Sequence, residues 1–196
     1  MMSHKSKERL MLIPQNVRRR IATMTIPAVL LFATGCMQLS AEEQKAEHLK
    51  RAKAFVEAEK YPEALIEYKN VVQIDPKDAD SHYQLAQIYM KLGEGSHLQE
   101  AFSALSRTVE LDPTIQDAQL KLGEFYLMAR KSEKAREHAD MFLASAPLDP
   151  KGHILRGRSL IIEKEFDQGI EEFKKSIELD PENVQIYVDI ARAFRH

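Results

Sequence analysis

Few residues of this 196-residue chain are of types that do chemistry, and their surroundings argue against most of it. His48, His82 and His153 recur at intervals of 34 and 71 residues, which invites a metal-binding reading. Equivalent residues of successive helical units lie at least one helix-packing distance apart, about 8–10 Å, whereas a Zn–N bond is about 2 Å. These histidines therefore cannot share an ion and read as half-buried rings between helices. Gly93-Glu94-Gly95 lacks the Gly-Lys-Ser/Thr of a phosphate loop, and no serine stands in a nucleophile elbow. Glu and Lys at helical spacing, such as Glu171 with Lys175, read as a solvated face. No catalysis, cofactor, metal or small-molecule substrate is expected.

The one cysteine, Cys36, excludes an internal disulfide and any multi-cysteine metal site. Its context gives it a different chemistry. Arg18, Arg19 and Arg20 precede the uncharged run Ile21 to Gly35, which contains Val29-Leu30-Leu31-Phe32 and ends in Ala33-Thr34-Gly35. A positive segment, an apolar segment and small residues before a cut make a secretory signal peptide over residues 1–35. With cysteine first after the cut, the segment resembles a bacterial lipoprotein signal, although Ala33 stands where that family usually has Leu. The resemblance implies that Cys36 is acylated and becomes the mature N-terminus, with residues 36–44 as linker. Met37, where inner-membrane lipoproteins usually carry Asp, implies the outer membrane, facing the periplasm. An uncleaved anchor is the rival reading, but Ile21 to Gly35 spans about 22 Å against a hydrocarbon core of about 30 Å, and Pro27 interrupts it. A cytoplasmic protein that buries this segment is a third. The arginines also admit a twin-arginine signal, and translation starts at either Met1 or Met11.

The composition, 44% hydrophobic and 30% charged, is that of a soluble chain outside the leader. Residues 1–35 hold six Lys or Arg and one Glu, leaving 22 basic against 29 acidic side chains, a net charge of −7. Such a surface repels phosphate backbones, so no nucleic-acid partner is expected.

The elements beyond the linker are set by a repeat. Pro76, Pro113, Pro147 and Pro181 are spaced 37, 34 and 34 residues apart, each after an apolar helical stretch that it stops. With each proline at position thirty-two of its unit, position eight holds Ala52, Ala86, Gly123 and Gly157, and position twenty holds Ala64, Ala101, Ala135 and Gly169. Small residues at two fixed points let paired helices approach closely. Large ones fill the space around them: Phe55, Tyr89, Tyr126 and Leu160 at position eleven, and Tyr68, Leu105 and Phe173 at position twenty-four. Ala139 at position twenty-four of the third unit predicts weaker packing there.

This register resembles the tetratricopeptide-repeat (TPR) family over Lys45 to His196. The resemblance implies an all-α, right-handed superhelical solenoid of antiparallel helix pairs. Four units are expected at 45–78, 79–115, 116–149 and 150–183, with 184–196 as the first helix of a fifth. The second unit carries three extra residues in Gly93-Glu94-Gly95-Ser96-His97, between its helices. Ser40 with Glu43 predicts a capping box before the first helix. Val184 to His196 is apolar on two sides, through Ile186 and Ile190 and through Tyr187, Ala191 and Phe194, which predicts a longer array or a covering partner.

In this family positions two, five, nine and twelve of each first helix line the concave side. The resemblance thus implies a partner-binding groove of Leu49, Lys53 and Val56; Tyr83, Gln87 and Met90; Leu120, Glu124 and Leu127; and Ile154, Arg158 and Ile161. It is apolar with polar groups along its middle, acidic early and basic late through Lys151, Arg158 and Arg192. The family's carboxylate clamp would need Lys, Asn, Asn, Lys and Arg where Leu49, Lys53, Gln84, Asp117 and Lys121 stand, or Tyr83, Gln87, Lys121, Lys151 and Leu155 one unit later. Neither set is a clamp.

The expected function is a lipid-anchored scaffold holding a protein partner during envelope assembly, exopolysaccharide production, or protein sorting or export. The first unit resembles TPR lipoproteins associated with exopolysaccharide production and PEP-CTERM sorting. A pilus or outer-membrane assembly lipoprotein, or a structural spacer without a ligand, are the alternatives.

Overall fold

The computed structural model describes residues 39–93 and 95–193, with side chains through residue 191. The signal segment, Cys36, Met37, Glu94, Phe194 and the side chain of Arg192 lie outside the described residues. Among those residues all regular structure is helical: α1 (Ala41–Glu57), α2 (Tyr61–Ile74), α3 (Ala79–Leu92), α4 (Ser96–Leu111), α5 (Gln116–Met128), α6 (Ser132–Ser145), α7 (Pro150–Ile162), α8 (Phe166–Leu179) and α9 (Val184–Ala193).

Local chemistry fixes where these helices start and stop. Asp78 and Asp149 cap α3 and α7, their carboxylates accepting from the amides of Ser81 and Lys151. At the other ends, the amides of Asp75, Asp112, Ala146 and Asp180 make the last helical hydrogen bonds, to Val71, Thr108, Phe142 and Ser176. The next residue in each case is a proline, which has no amide to continue. Ser40 stands at the N-cap position of α1.

Helices pack as hairpins, α1 with α2, α3 with α4, α5 with α6 and α7 with α8, and each second helix packs on the first helix of the following hairpin. The first helices α5, α7 and α9 also touch in series. Every element thus meets only near neighbours in the chain, which makes a solenoid.

The small residues sit where the backbones come closest. Ala52, Ala64, Ala86, Ala101 and Ala135 are fully buried. A Cβ built on Gly157 would lie 2.6 Å from the Phe173 ring and 3.1 Å from the Gly169 carbonyl, and one on Gly169 would lie 3.0 Å from the Gly157 carbonyl. Only hydrogen fits between α7 and α8 at this crossing.

Two core clusters result. The larger runs from Ala52 through Tyr68, Ile88 and Leu105 to Leu122; the smaller holds Leu120, Ala139, Phe142, Leu143 and Leu155. Ala139, where a large side chain fills the equivalent place in the other hairpins, belongs to the smaller one. Beside it, Tyr126 stacks on His138 with ring centroids 5.3 Å apart, and Phe102 packs edge-on to Tyr126.

The turns inside the first, third and fourth hairpins share one backbone although their sequences differ, and the longer second turn begins in the same way. Glu59, Gly93, Arg130 and Lys164 all have positive φ, between 54° and 66°. In three of them the following amide reaches back five residues, as from Lys60 to the Phe55 carbonyl, in the αL helix ending. Glycine suits this backbone best, yet only one hairpin has it.

Candidate functional site

The recurrent histidines belong to the joints between hairpins. His82 Nε2 lies 3.2 Å from the Pro76 carbonyl, Gln119 Nε2 3.2 Å from that of Pro113, and His153 Nε2 3.1 Å from that of Pro147. The proline that ends one hairpin therefore offers its free carbonyl to the first helix of the next. On the other side, the same position reaches nineteen residues onward into its own hairpin: His48 to Glu67 at 2.6 Å, Gln119 to His138 at 2.6 Å and His153 to Glu172 at 2.8 Å. The rings are half-buried, and they work as polar clasps rather than as fillers.

Their electrostatics follow from burial. Glu172 is 4% exposed, and desolvation opposes its charge, but hydrogen bonds from His153 and Lys175 outweigh this and hold the carboxyl below its ordinary range. Glu67 is lowered in the same way by His48 and Arg51. His138 meets the Gln119 amide instead of a carboxylate, and burial pushes its protonation down despite the neighbouring charge of Glu137. Lys175 pairs with Glu172 at 2.9 Å, not with Glu171 as the spacing suggests; Glu171 meets Lys174.

Along the first-helix face, the early half is largely committed to the fold. Leu49, Val56, Tyr83 and Met90 pack against the larger core cluster, while Lys53 is exposed. The Tyr83 hydroxyl donates to the Asp117 carboxylate of the next hairpin, and Gln87 also reaches it. Burial and that carboxylate push the phenol up to about 12. Leu120 is a correction: at 7% exposure it belongs to the smaller core cluster and offers a partner no surface. It shares that cluster with Ala139, Phe142, Leu143 and Leu155.

The late half is open. A cleft of about 630 Å³ is lined by Glu124, Leu127 and Met128 of α5, Arg158, Ile161 and Ile162 of α7, and Asp189 of α9. A smaller one, about 130 Å³, adjoins it at Glu124, Lys151, Ile154 and Arg158. Five of the groove residues expected from sequence, Glu124, Leu127, Ile154, Arg158 and Ile161, therefore line adjoining clefts. Arg158 is not available as a free cation there: its Nε and Nη2 lie 2.7 and 2.6 Å from Asp189 Oδ2. Asp189 is 8% exposed, so this ion pair ties α9 to α7 across the groove floor.

Sequence reasoning missed Met128 and Ile162, which are 67% and 44% exposed. They stand one residue beyond the expected lining position, at the last turn of α5 and α7. Their signal was an apolar residue directly before a turn in both units. Among the described residues, no group of three His, Cys, Asp or Glu is placed to hold a metal ion, and no helix is long and apolar enough to cross a membrane.

Family models described as TPR repeat and tetratricopeptide repeat match residues 52–93, 94–150 and 150–183. No curated protein matches the chain in sequence. Among solved structures, the chain is similar to MamA 41-end from Desulfovibrio magneticus RS-1, with TM-score 0.70 and 20% identity over 79% of this chain and 85% of that one. A second MamA structure gives TM-score 0.71 and 22% identity over 79% and 82%. YrrB, described as a TPR protein with an unusual peptide-binding site, gives 0.65 and 17% over 74% and 73%. These identities carry the fold alone. The three family matches run end to end across two thirds of the chain and fall on the stacked helices from α1 to α8, and the chain belongs to the tetratricopeptide-repeat family.

Proposed function

We propose that this chain is a scaffold that holds a segment of a protein partner in its first-helix groove, chiefly between α5 and α9. The observation that carries this is the pair of adjoining clefts whose apolar walls, Leu127, Ile154 and Ile161, are only partly covered by the protein's own core. A groove of this composition suits an extended strand or an amphipathic helix, anchored by apolar side chains and oriented by charge. The peptide-binding site named for YrrB supports the reading by analogy of fold.

The leader and Cys36 extend the proposal to a lipid-anchored protein of the bacterial envelope, on the outer membrane facing the periplasm. Lipid contributes about 0.8 kcal/mol per buried CH₂, so two or three acyl chains make a stable tether. Its work there would be the assembly or export of an envelope component, with exopolysaccharide production or protein sorting as the specific setting. A pilus or outer-membrane assembly role uses the same groove.

The experiment compares wild type with Ile154→Glu and Ile161→Glu, in cells and in the full chain. Loss of envelope function with an unchanged circular dichroism spectrum supports a binder; full function in both variants identifies a spacer. The mass of the mature N-terminal peptide tests the anchor separately, since an unmodified Cys36 would refute acylation.

A further inference from the structure

A third cleft, about 690 Å³, opens at the turn end of the same two hairpins, and its rim is charged. Its apolar wall is Leu127 and Met128 from the end of α5 and Ile161 and Ile162 from the end of α7. Arg130 and Lys164, the αL residues of the two turns, and Phe166 at the start of α8 complete the lining. Among the described residues neither cation takes part in an ion pair. The carboxylates that flank Lys164 in sequence face elsewhere: Glu163 meets Arg136 at 3.0 Å and Glu165 meets it at 3.9 Å. Arg158, by contrast, is neutralised by Asp189.

Arg130 and Lys164 thus stand beside a partly covered apolar wall, on a chain whose residues beyond the leader carry a net charge of −7. An acidic surface repels acidic partners in general, so a local positive rim selects where such a partner lands and in which direction it lies. The apolar wall selects for something more than charge. Met128, at 67% exposure, adds a flexible, polarisable surface that adapts to different apolar side chains.

From this juxtaposition we infer that the turn end of the third and fourth hairpins is the specificity subsite of the groove, and that it takes an acidic-apolar peptide segment, with bulky apolar residues flanked by Asp or Glu. The apolar residues lie on Leu127, Met128, Ile161 and Ile162, and the carboxylates meet Arg130 and Lys164. The inference rests on the groove-binding reading and adds the chemical class of its occupant. A lipid surface is the lesser fit, because two cations give weak attraction to anionic headgroups when the surrounding surface is acidic.

The test is selection of a randomised twelve-residue peptide library on the full chain in detergent, followed by affinity measurement of the enriched peptides. Enrichment of apolar residues flanked by Asp or Glu is expected. Arg130→Glu with Lys164→Glu should weaken those peptides about tenfold or more at low salt, and the loss should shrink as salt is raised. Enrichment of basic or uncharged sequences, or acidic peptides that bind the double variant unchanged, would overturn the inference. Enriched peptides that lose binding in Ile154→Glu but not in the double variant would leave the groove intact and reject the subsite. No enrichment at all rejects the subsite, while partner capture in cells still judges the groove. Binding of phosphatidylglycerol vesicles that the double variant abolishes, without any peptide preference, would reassign the rim to lipid and overturn it as well.

Discussion

His153 and Glu172 meet at 2.8 Å within one hairpin while the other ring nitrogen of His153 reaches 3.1 Å to the Pro147 carbonyl of the hairpin before it. Both ring nitrogens face oxygen atoms, one of a carboxylate and one of a backbone carbonyl. The residue thus joins three elements, and its partner is a carboxylate with almost no contact with water.

That buried carboxylate makes stability depend on pH in a stated direction. Its folded-state affinity for protons is lowered from the ordinary 4.5, so its contribution is full above that value and is lost as pH falls through the folded one. Glu172→Gln should destabilise the protein by about 1–3 kcal/mol at neutral pH, because the amide removes the negative charge and keeps only one acceptor oxygen for His153 and Lys175. In thermal melts from pH 7 down to pH 3, the gap between wild type and variant should narrow below about pH 4.5. A gap that widens as acid is added would show that the carboxylate is not held ionised.

The αL turns make a prediction of opposite sign. Glu59 has φ 56°, in a helix ending that glycine occupies without strain. Glu59→Gly should raise stability by about 0.5–1 kcal/mol, seen as a higher urea midpoint at unchanged slope. A lower midpoint would mean that the Glu59 side chain contributes more than its backbone costs.

The joint between α7 and α9 should be separable from the rest of the array. Asp189→Ala removes the acceptor for both Arg158 nitrogens. Amide hydrogen exchange over residues 184–193 should accelerate at least about tenfold, while α1 to α4 stay unchanged, since a solenoid couples only neighbours. Faster exchange spread evenly over all helices would instead indicate one cooperative unit.

The hairpins were legible in the sequence because their determinants are steric and periodic. Ala52, Gly157 and Gly169 announce close approach by their size, and Pro76, Pro113, Pro147 and Pro181 announce chain breaks by their missing amide. The clasps were not legible as such: that His48, Gln119 and His153 reach a proline carbonyl, a glutamate or a second histidine depends on side-chain geometry across a joint. Leu120 was expected in the groove because position five faces it in the family in general, whereas here it is buried in the same core cluster as Ala139, Phe142 and Leu155. Arg158 read as a groove cation because its partner, Asp189, lies thirty-one residues away on α9. The αL turn at Glu59, Arg130 and Lys164 was hidden because three residues that disfavour that backbone occupy it.

The most direct measurement is photocrosslinking in cells from a probe placed at Ile161, on the full chain with Cys36 intact, against a control probe at the exposed Glu171. The groove account predicts one dominant protein captured at Ile161 and absent at Glu171. Equal capture at the two positions, or none at either, would contradict it.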